Sequence, residues 1–261
     1  MTLERINRLQ LQIKPGQYFY VTDLINIRYL TGFTGSNAAL LVSDSNAILA
    51  TDSRYEIQAA AQVAELPAVI GRNFPELLLS KLQKSEVLVE GANLSVDAYQ
   101  NLVASFDHQF SISVGVIEAL RVVKDDSEIE LIKRACEIST KAYLDVIKSV
   151  RVGQTEKFIR NALEQSMRKY GADDIAFASI VASGPNSAIP HHEPTDRELQ
   201  SGDFLKIDFG AKVDGYHADC TRTAVVGKPS DWQIDLHTAV SAAQLAGRDV
   251  IRANIKFSDV E

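Results

Sequence analysis

The dipeptide Asp214-Gly215, set between two β-like runs, constrains this chain more than any other feature. Asp and Gly both tolerate positive φ, so the pair predicts a two-residue hairpin turn. Such a turn fixes the register around it. Val213 then faces Tyr216, Asp208 faces Thr221, and Asp219 faces Gly210. Strand side chains alternate with a period of two, so Asp208 and Asp219 emerge on one face as a diagonal cross-strand pair. Diagonal Cα atoms lie roughly 7–8 Å apart, close enough for two carboxylates to converge on a common object.

Two like charges side by side in a sheet are costly unless something offsets them. One divalent cation, or a pair, would do so through hard oxygen ligands. An exposed, solvated sheet face would also tolerate the pair. Strand interiors disfavour Asp, and Asp208 lies inside the apolar run Phe204-Leu-Lys-Ile-Asp-Phe209, which favours the metal. Thr221, opposite Asp208, either donates a hydrogen bond to a carboxylate or simply packs. His217 shares the Asp219 face without a ligand role. Cys220 alternates to the other face and reads as a buried, inert thiol.

Around this hairpin the chain falls into two halves. In the first, β-like runs at Tyr18–Val21, Ala38–Val42, Ala47–Thr51, Val87–Glu90 and Gln109–Val114 alternate with helical runs at Tyr55–Val63, Pro75–Lys84 and Val96–Phe106. The turn at Ser43–Asn46 makes a hairpin of the second and third runs, and Ser95 reads as an N-cap. Strands interleaved with helices imply an α/β domain over residues 1–120. From 121 to 261 the texture is α+β, with long helices on an antiparallel sheet. A helix of more than six turns is expected to start at a Ser127/Glu130 capping box and to bury Ile129, Ile132, Cys136, Tyr143, Ile147 and Val150. A second helix opens at Thr155, carries Phe158, Ile159, Leu163, Met167 and Tyr170 as its apolar residues, and closes at Gly171. β-like runs follow at Ile175–Ala182, Phe204–Val213 and Tyr216–Val226, then a helix from near Asp231.

Composition narrows the function. Net charge is −7 with no basic block, which argues against nucleic acid as a partner. No run of ~18 apolar residues suggests a membrane span. The segment from Met1 to Ile13 lacks the apolar core of a signal peptide, and two cysteines fit a reducing compartment, so a cytoplasmic protein is expected.

Asp208-Phe-Gly, the step to Asp219, and Cys-Thr-Arg-Thr223 after it closely resemble the metal-binding signature of the M24 or "pita-bread" metallopeptidases. That family includes Xaa-Pro aminopeptidases, prolidases, methionine aminopeptidases and creatinase. Ser183-Gly-Pro-Asn-Ser-Ala-Ile-Pro-His-His192 resembles the loop that delivers a substrate-contacting histidine, matched by His191. Leu120 to Glu130 resembles the approach to the catalytic domain, and Tyr29-Leu-Thr-Gly-Phe-Thr-Gly-Ser36 resembles the creatinase-type N-terminal domain. The resemblance implies a creatinase-like α/β domain followed by the first part of a pita-bread α+β domain. It implies Asp208 as a ligand of one metal and Asp219 as a bridge between two, with Mn²⁺ the expected ion and Co²⁺ or Zn²⁺ as alternatives. The implied reaction is hydrolysis of the bond between an N-terminal residue and proline by a metal-acidified water. A prolidase acting on Xaa-Pro dipeptides and a non-catalytic peptide-binding homologue stand as alternatives. The family's remaining ligands, a histidine and two glutamates, have no matching residues before Glu261. The chain is therefore expected to be truncated, with weak or absent metal binding and no activity alone. A proline-containing peptide and a second copy in a homodimer are the expected partners.

Overall fold

The computed structural model describes residues 2–260, which form two compact units dividing between Lys124 and Asp125. The first unit runs α1 (Thr2–Gln10), β1 (Gln17–Val21), α2 (Leu24–Thr31), β2 (Ala38–Ser43), β3 (Ala47–Thr51), α3 (Glu56–Gln62), β4 (Ala68–Ile70), α4 (Phe74–Leu79), β5 (Glu86–Glu90), α5 (Val96–Ser105), β6 (Gln109–Ser113) and α6 (Val116–Val122). Its six strands are ordered β4-β3-β2-β1-β5-β6. β1, β5 and β6 run parallel, as do β3 and β4, while β2 pairs antiparallel with β1 and β3. Apolar residues line both faces of this sheet. Phe19, Val21, Leu40 and Leu49 pack with α1 and α2, while Tyr20, Leu41, Val87 and Val89 pack with Leu78, Leu79 and Leu102 of α4 and α5. Burial on both faces explains why these strands read as near-continuous apolar runs. Helices α1 and α2 were not anticipated from the sequence. The first buries Ile6 and Leu9, and the second is delimited by an Asp23 N-cap and by Gly32 at φ 76°.

The second unit contains α7 (Asp126–Ile147), α8 (Glu156–Lys169), β7 (Asp174–Ile175), β8 (Ile180–Ser183), β9 (Phe204–Phe209), β10 (Ala211–Val213), β11 (Tyr216–His217), β12 (Cys220–Val225) and α9 (Asp231–Val250). The strands form two antiparallel sheets, β11-β10-β7 and β12-β9-β8. Thus each long β-like run of the sequence is split in two. The expected register holds on either side of the split, with Val213 opposite Tyr216 and Asp208 opposite Thr221, but Gly210 and Asp219, expected to face each other, fall outside the strands and are not a ladder pair. Asp214 at φ 47° and Gly215 at φ 81° give the turn its two positive-φ residues.

Three expectations for the helices need correction. The capping box of α7 is Asp125 with Glu128, since the Asp125 carboxylate accepts the Glu128 N–H and the Glu128 carboxylate accepts the Asp125 N–H. The fully buried residues of α7 are Glu128, Ala135, Ile138, Ser139, Ala142 and Val146; Tyr143 and Ile147, with Val150 just beyond the helix, are partly buried against the same core as expected, whereas Cys136 is exposed and Ile129 is 39% exposed. Small residues win that face because the helix lies close to the sheet. Ser139 Oγ accepts the Ala211 N–H at 2.9 Å, a contact a larger side chain would prevent. In α8, Ile159, Leu163 and Met167 are buried as expected, but Phe158 is exposed.

Helix α9 has only Gln233 buried, while Trp232, Ile234, Leu236 and Val240 stay about half exposed or more. No helix among the described residues is long and apolar enough to cross a membrane.

Candidate metal centre

The hairpin bends at Gly210. A methyl group built there would overlap the carbonyl oxygen of Ala218 and lie 2.7 Å from its carbonyl carbon. Glycine is required here by close backbone approach, not by φ. The backbone groups at the bend find partners off the ladder. Gly210 O accepts from Ala176 N, Ala211 N donates to Ser139, and Ala218 N returns to Ala211 O. Asp219 follows directly, outside any strand and exposed.

Asp208 lies on the less buried face of β9, opposite Thr221 of β12 and Ile180 of β8. Its Oδ1 is buried and has no hydrogen-bond partner. Thr221 therefore does not donate to Asp208 Oδ1. Burial pushes the Cys220 thiol up, and its neighbours Cys136, Asp219 and Asp208 add to the shift while Arg222 opposes it. Such a thiol is a poor nucleophile. Cys220 is half-buried against the core around Phe209 and Tyr143. His217 is largely exposed, and partial desolvation together with nearby Lys212 holds its imidazole below the usual histidine range.

His191 is exposed in a turn. Lys206 ties this turn to β9, its Nζ donating to the carbonyls of Ile189 at 2.6 Å and Pro190 at 3.3 Å. Lys206 and Asp208 are two apart on one strand, so the His191 turn is fastened to the face from which Asp208 projects.

His192, by contrast, is buried, and its partner is a residue the sequence reading missed. Glu156, fully buried at the start of α8, pairs with His192 Nε2 at 2.8 Å. Its position after the Thr155 N-cap reads from sequence as an ordinary acid in a first helical turn. Its partners lie 27 to 39 residues away, so local pattern carries no signal of the burial. Burial alone would raise the Glu156 carboxyl. Hydrogen bonds from His192, Asn186, Thr195 and Ser183 outweigh it and bring the value down to about 2. An unfolded glutamate titrates near 4.5, so Glu156 contributes stability present above that pH and lost as pH falls through about 2. The wild-type melting temperature is therefore expected to fall more steeply between pH 4.5 and 2 than that of a Glu156→Gln variant. Equal slopes in scanning calorimetry would contradict the hydrogen-bonded carboxylate.

Residues 130–261 match the model for metallopeptidase family M24, and residues 5–123 match that for the creatinase/prolidase N-terminal domain. The chain belongs to metallopeptidase family M24. This M24 chain is 33% identical to the uncharacterized peptidase YqhT of Bacillus subtilis over 95% of its own length and 71% of that protein's. An Xaa-Pro dipeptidase structure from Bacillus anthracis superposes with a TM-score of 0.93 at 33% identity, covering all of this chain and 75% of that one. An X-Pro aminopeptidase structure from Thermotoga maritima gives 0.88 at 35% identity, covering 95% and 73%. The fold is a creatinase-like N-terminal domain followed by M24 pita-bread structure.

M24 membership implies divalent metal. The buried, unpartnered Asp208 Oδ1 fits that implication, being a hard anionic donor that a cation would satisfy. Among the described residues, no group of three or more His, Cys, Asp or Glu side chains gathers to hold an ion. The fit therefore rests on the Asp208 oxygen.

Proposed function

We propose that this protein takes part in metal-dependent hydrolysis of the peptide bond between an N-terminal residue and proline. The buried Asp208 oxygen without a partner, on a chain of family M24, is the observation that carries the reading. Asp208 and Asp219 would hold the metal, Mn²⁺ being the ion we propose. When bound, a divalent ion supplies the positive charge that acidifies water and polarises a carbonyl. Two carboxylates leave most coordination positions to water, so these 261 residues by themselves are expected to hold the ion weakly. His191, exposed on its turn, offers a ring nitrogen to the substrate's scissile carbonyl or to the oxyanion developing from it. Lys206 holds that turn against the Asp208 face.

The relatives' names favour two specificities, an aminopeptidase acting on longer Xaa-Pro peptides and a dipeptidase acting on Xaa-Pro alone. We favour the aminopeptidase. The exposed apolar side of α9 supports self-association as a homodimer, and two free cysteines support a cytoplasmic setting. The deciding assay supplies Mn²⁺ with Xaa-Pro and Xaa-Pro-Yaa peptides to the protein as the cell makes it, and follows release of the N-terminal residue. We expect chelator-sensitive release from the tripeptide. Release from the dipeptide alone assigns a dipeptidase. Peptide binding without release from either leaves a non-catalytic binding protein and sinks the hydrolase.

A further inference from the structure

We propose that Glu156 is a positioning residue, a buried anchor whose carboxylate sets the 183–195 loop so that His191 faces outward. The inference rests on the functional reading above only in giving His191 a substrate to meet. The anchor itself is visible in the hydrogen bonds. Glu156 Oε1 accepts from the Ser183 N–H at 2.7 Å, the Ser183 hydroxyl at 2.8 Å and the Asn186 amide at 3.0 Å. Oε2 accepts from His192 Nε2 at 2.8 Å and from the Thr195 N–H and hydroxyl at 2.9 and 2.8 Å. An ionised carboxylate can only accept, so His192 presents Nε2–H to it.

These donors bracket the loop. Ser183 ends β8, Asn186 lies in the 3-10 turn after it, and His192 and Thr195 follow the Pro190-His191 turn. A single side chain on a rigid helix thus grips the loop before and after His191. Neighbours in the chain take opposite fates: His192 is 8% exposed on Glu156, and His191 is exposed. A second brace reinforces the grip. Arg197 forks onto Asp203 at 2.6 and 3.1 Å and donates to Ser183 Oγ at 2.7 Å, which orients the hydroxyl that Ser183 gives to Glu156. With Lys206 holding the carbonyls of Ile189 and Pro190, the turn has little freedom left. Glutamine cannot replace Glu156. Its amide nitrogen would turn N–H groups towards donors, leaving buried groups unpaired.

The test compares wild type, Glu156→Gln and the milder Thr195→Val, which keeps the Thr195 N–H. Hydrogen exchange is read at the Ser183 and Thr195 amides, which bond the carboxylate directly, with the β9 amides as internal control. The expected result is at least tenfold faster exchange at Ser183 and Thr195 in Glu156→Gln and a smaller rise at Thr195 in Thr195→Val, with β9 unchanged. Unchanged exchange at both amides in a folded Glu156→Gln would overturn the proposal, as would loss of protection throughout β9 in both variants. These readouts stand whether or not the protein cleaves peptides. Where wild type does cleave Xaa-Pro-Yaa, Glu156→Gln should lower kcat/KM at least tenfold. That loss should vanish in a His191→Ala background, because a residue acting through His191 has nothing left to position. Losses that multiply in the double variant would show a merely structural role and overturn the positioning claim.

Discussion

Replacing Gly210 by alanine is expected to destabilise the second unit by about 3 kcal/mol or more, at the upper end of what single substitutions cost. The added methyl would overlap the Ala218 carbonyl oxygen, and Ala176 Cβ stands 3.1 Å away on another side. A flexible side chain could swing aside, but the Ala218 carbonyl belongs to the backbone next to Asp219. Its N–H is also bonded to Ala211 O, so the segment cannot retreat without breaking the hairpin. Urea unfolding followed by Trp232, the single tryptophan and a residue of the second unit, should show a lower midpoint at an unchanged slope. A variant within 0.5 kcal/mol of wild type would mean that the two backbones do not meet as closely as described. On the proposal that Asp208 and Asp219 share a cation, a folded variant should also bind metal poorly, because relieving the overlap moves the backbone next to Asp219.

The second large effect is at Asp208, and it depends on metal. Without metal, Asp208→Ala is expected to raise the melting temperature. A buried oxygen lacking a partner costs about 1–3 kcal/mol, and the substitution removes it. With Mn²⁺ well above its Kd the wild type gains stability that the variant cannot, which offsets that cost. A ligand about 100-fold above its Kd stabilises the native state by about 2.7 kcal/mol, and the variant should lose all of that. Turnover in the protein as the cell makes it should fall to background. Persistence of the Mn²⁺-dependent rise in Asp208→Ala would remove Asp208 from the metal site. A metal-free variant clearly less stable than wild type would instead mean that the lone oxygen has an unrecognised partner. The two arms are separable because one reads the apo protein and the other the cation.

Strands and their pairing were legible where local rules dominate. The Ser43–Asn46 turn paired β2 with β3, and Ser95 capped α5 through the Ala98 N–H. Asp214-Gly215 set a register that holds on either side of the break between β9 and β10. Large side chains misled the reading of α7. Amphipathic pattern weights bulk, whereas a helix lying tight on a sheet buries its small residues, so Ala135, Ser139 and Ala142 face inward and Cys136 faces out. The capping box shifted by two residues because Asp125 takes the cap position and the Ser127 hydroxyl, instead of accepting from Glu130, donates to the Asp125 carboxylate.

Sequence by itself determined the α/β then α+β organisation, the two-aspartate hairpin and the family, since turn chemistry, alternation and motif spacing are all properties of neighbours along the chain. Only the tertiary structure decided why Gly210 must be glycine, which Asp208 oxygen is left without a partner, and how Glu156 becomes the anchor of the His191 loop. Each of these depends on groups brought together from distant positions. Ala176 and Ser139 meet the bend at Gly210 and Ala211, and Glu156 meets Thr195 across 39 residues of chain. Contacts of that kind are made by packing, and no local pattern records them.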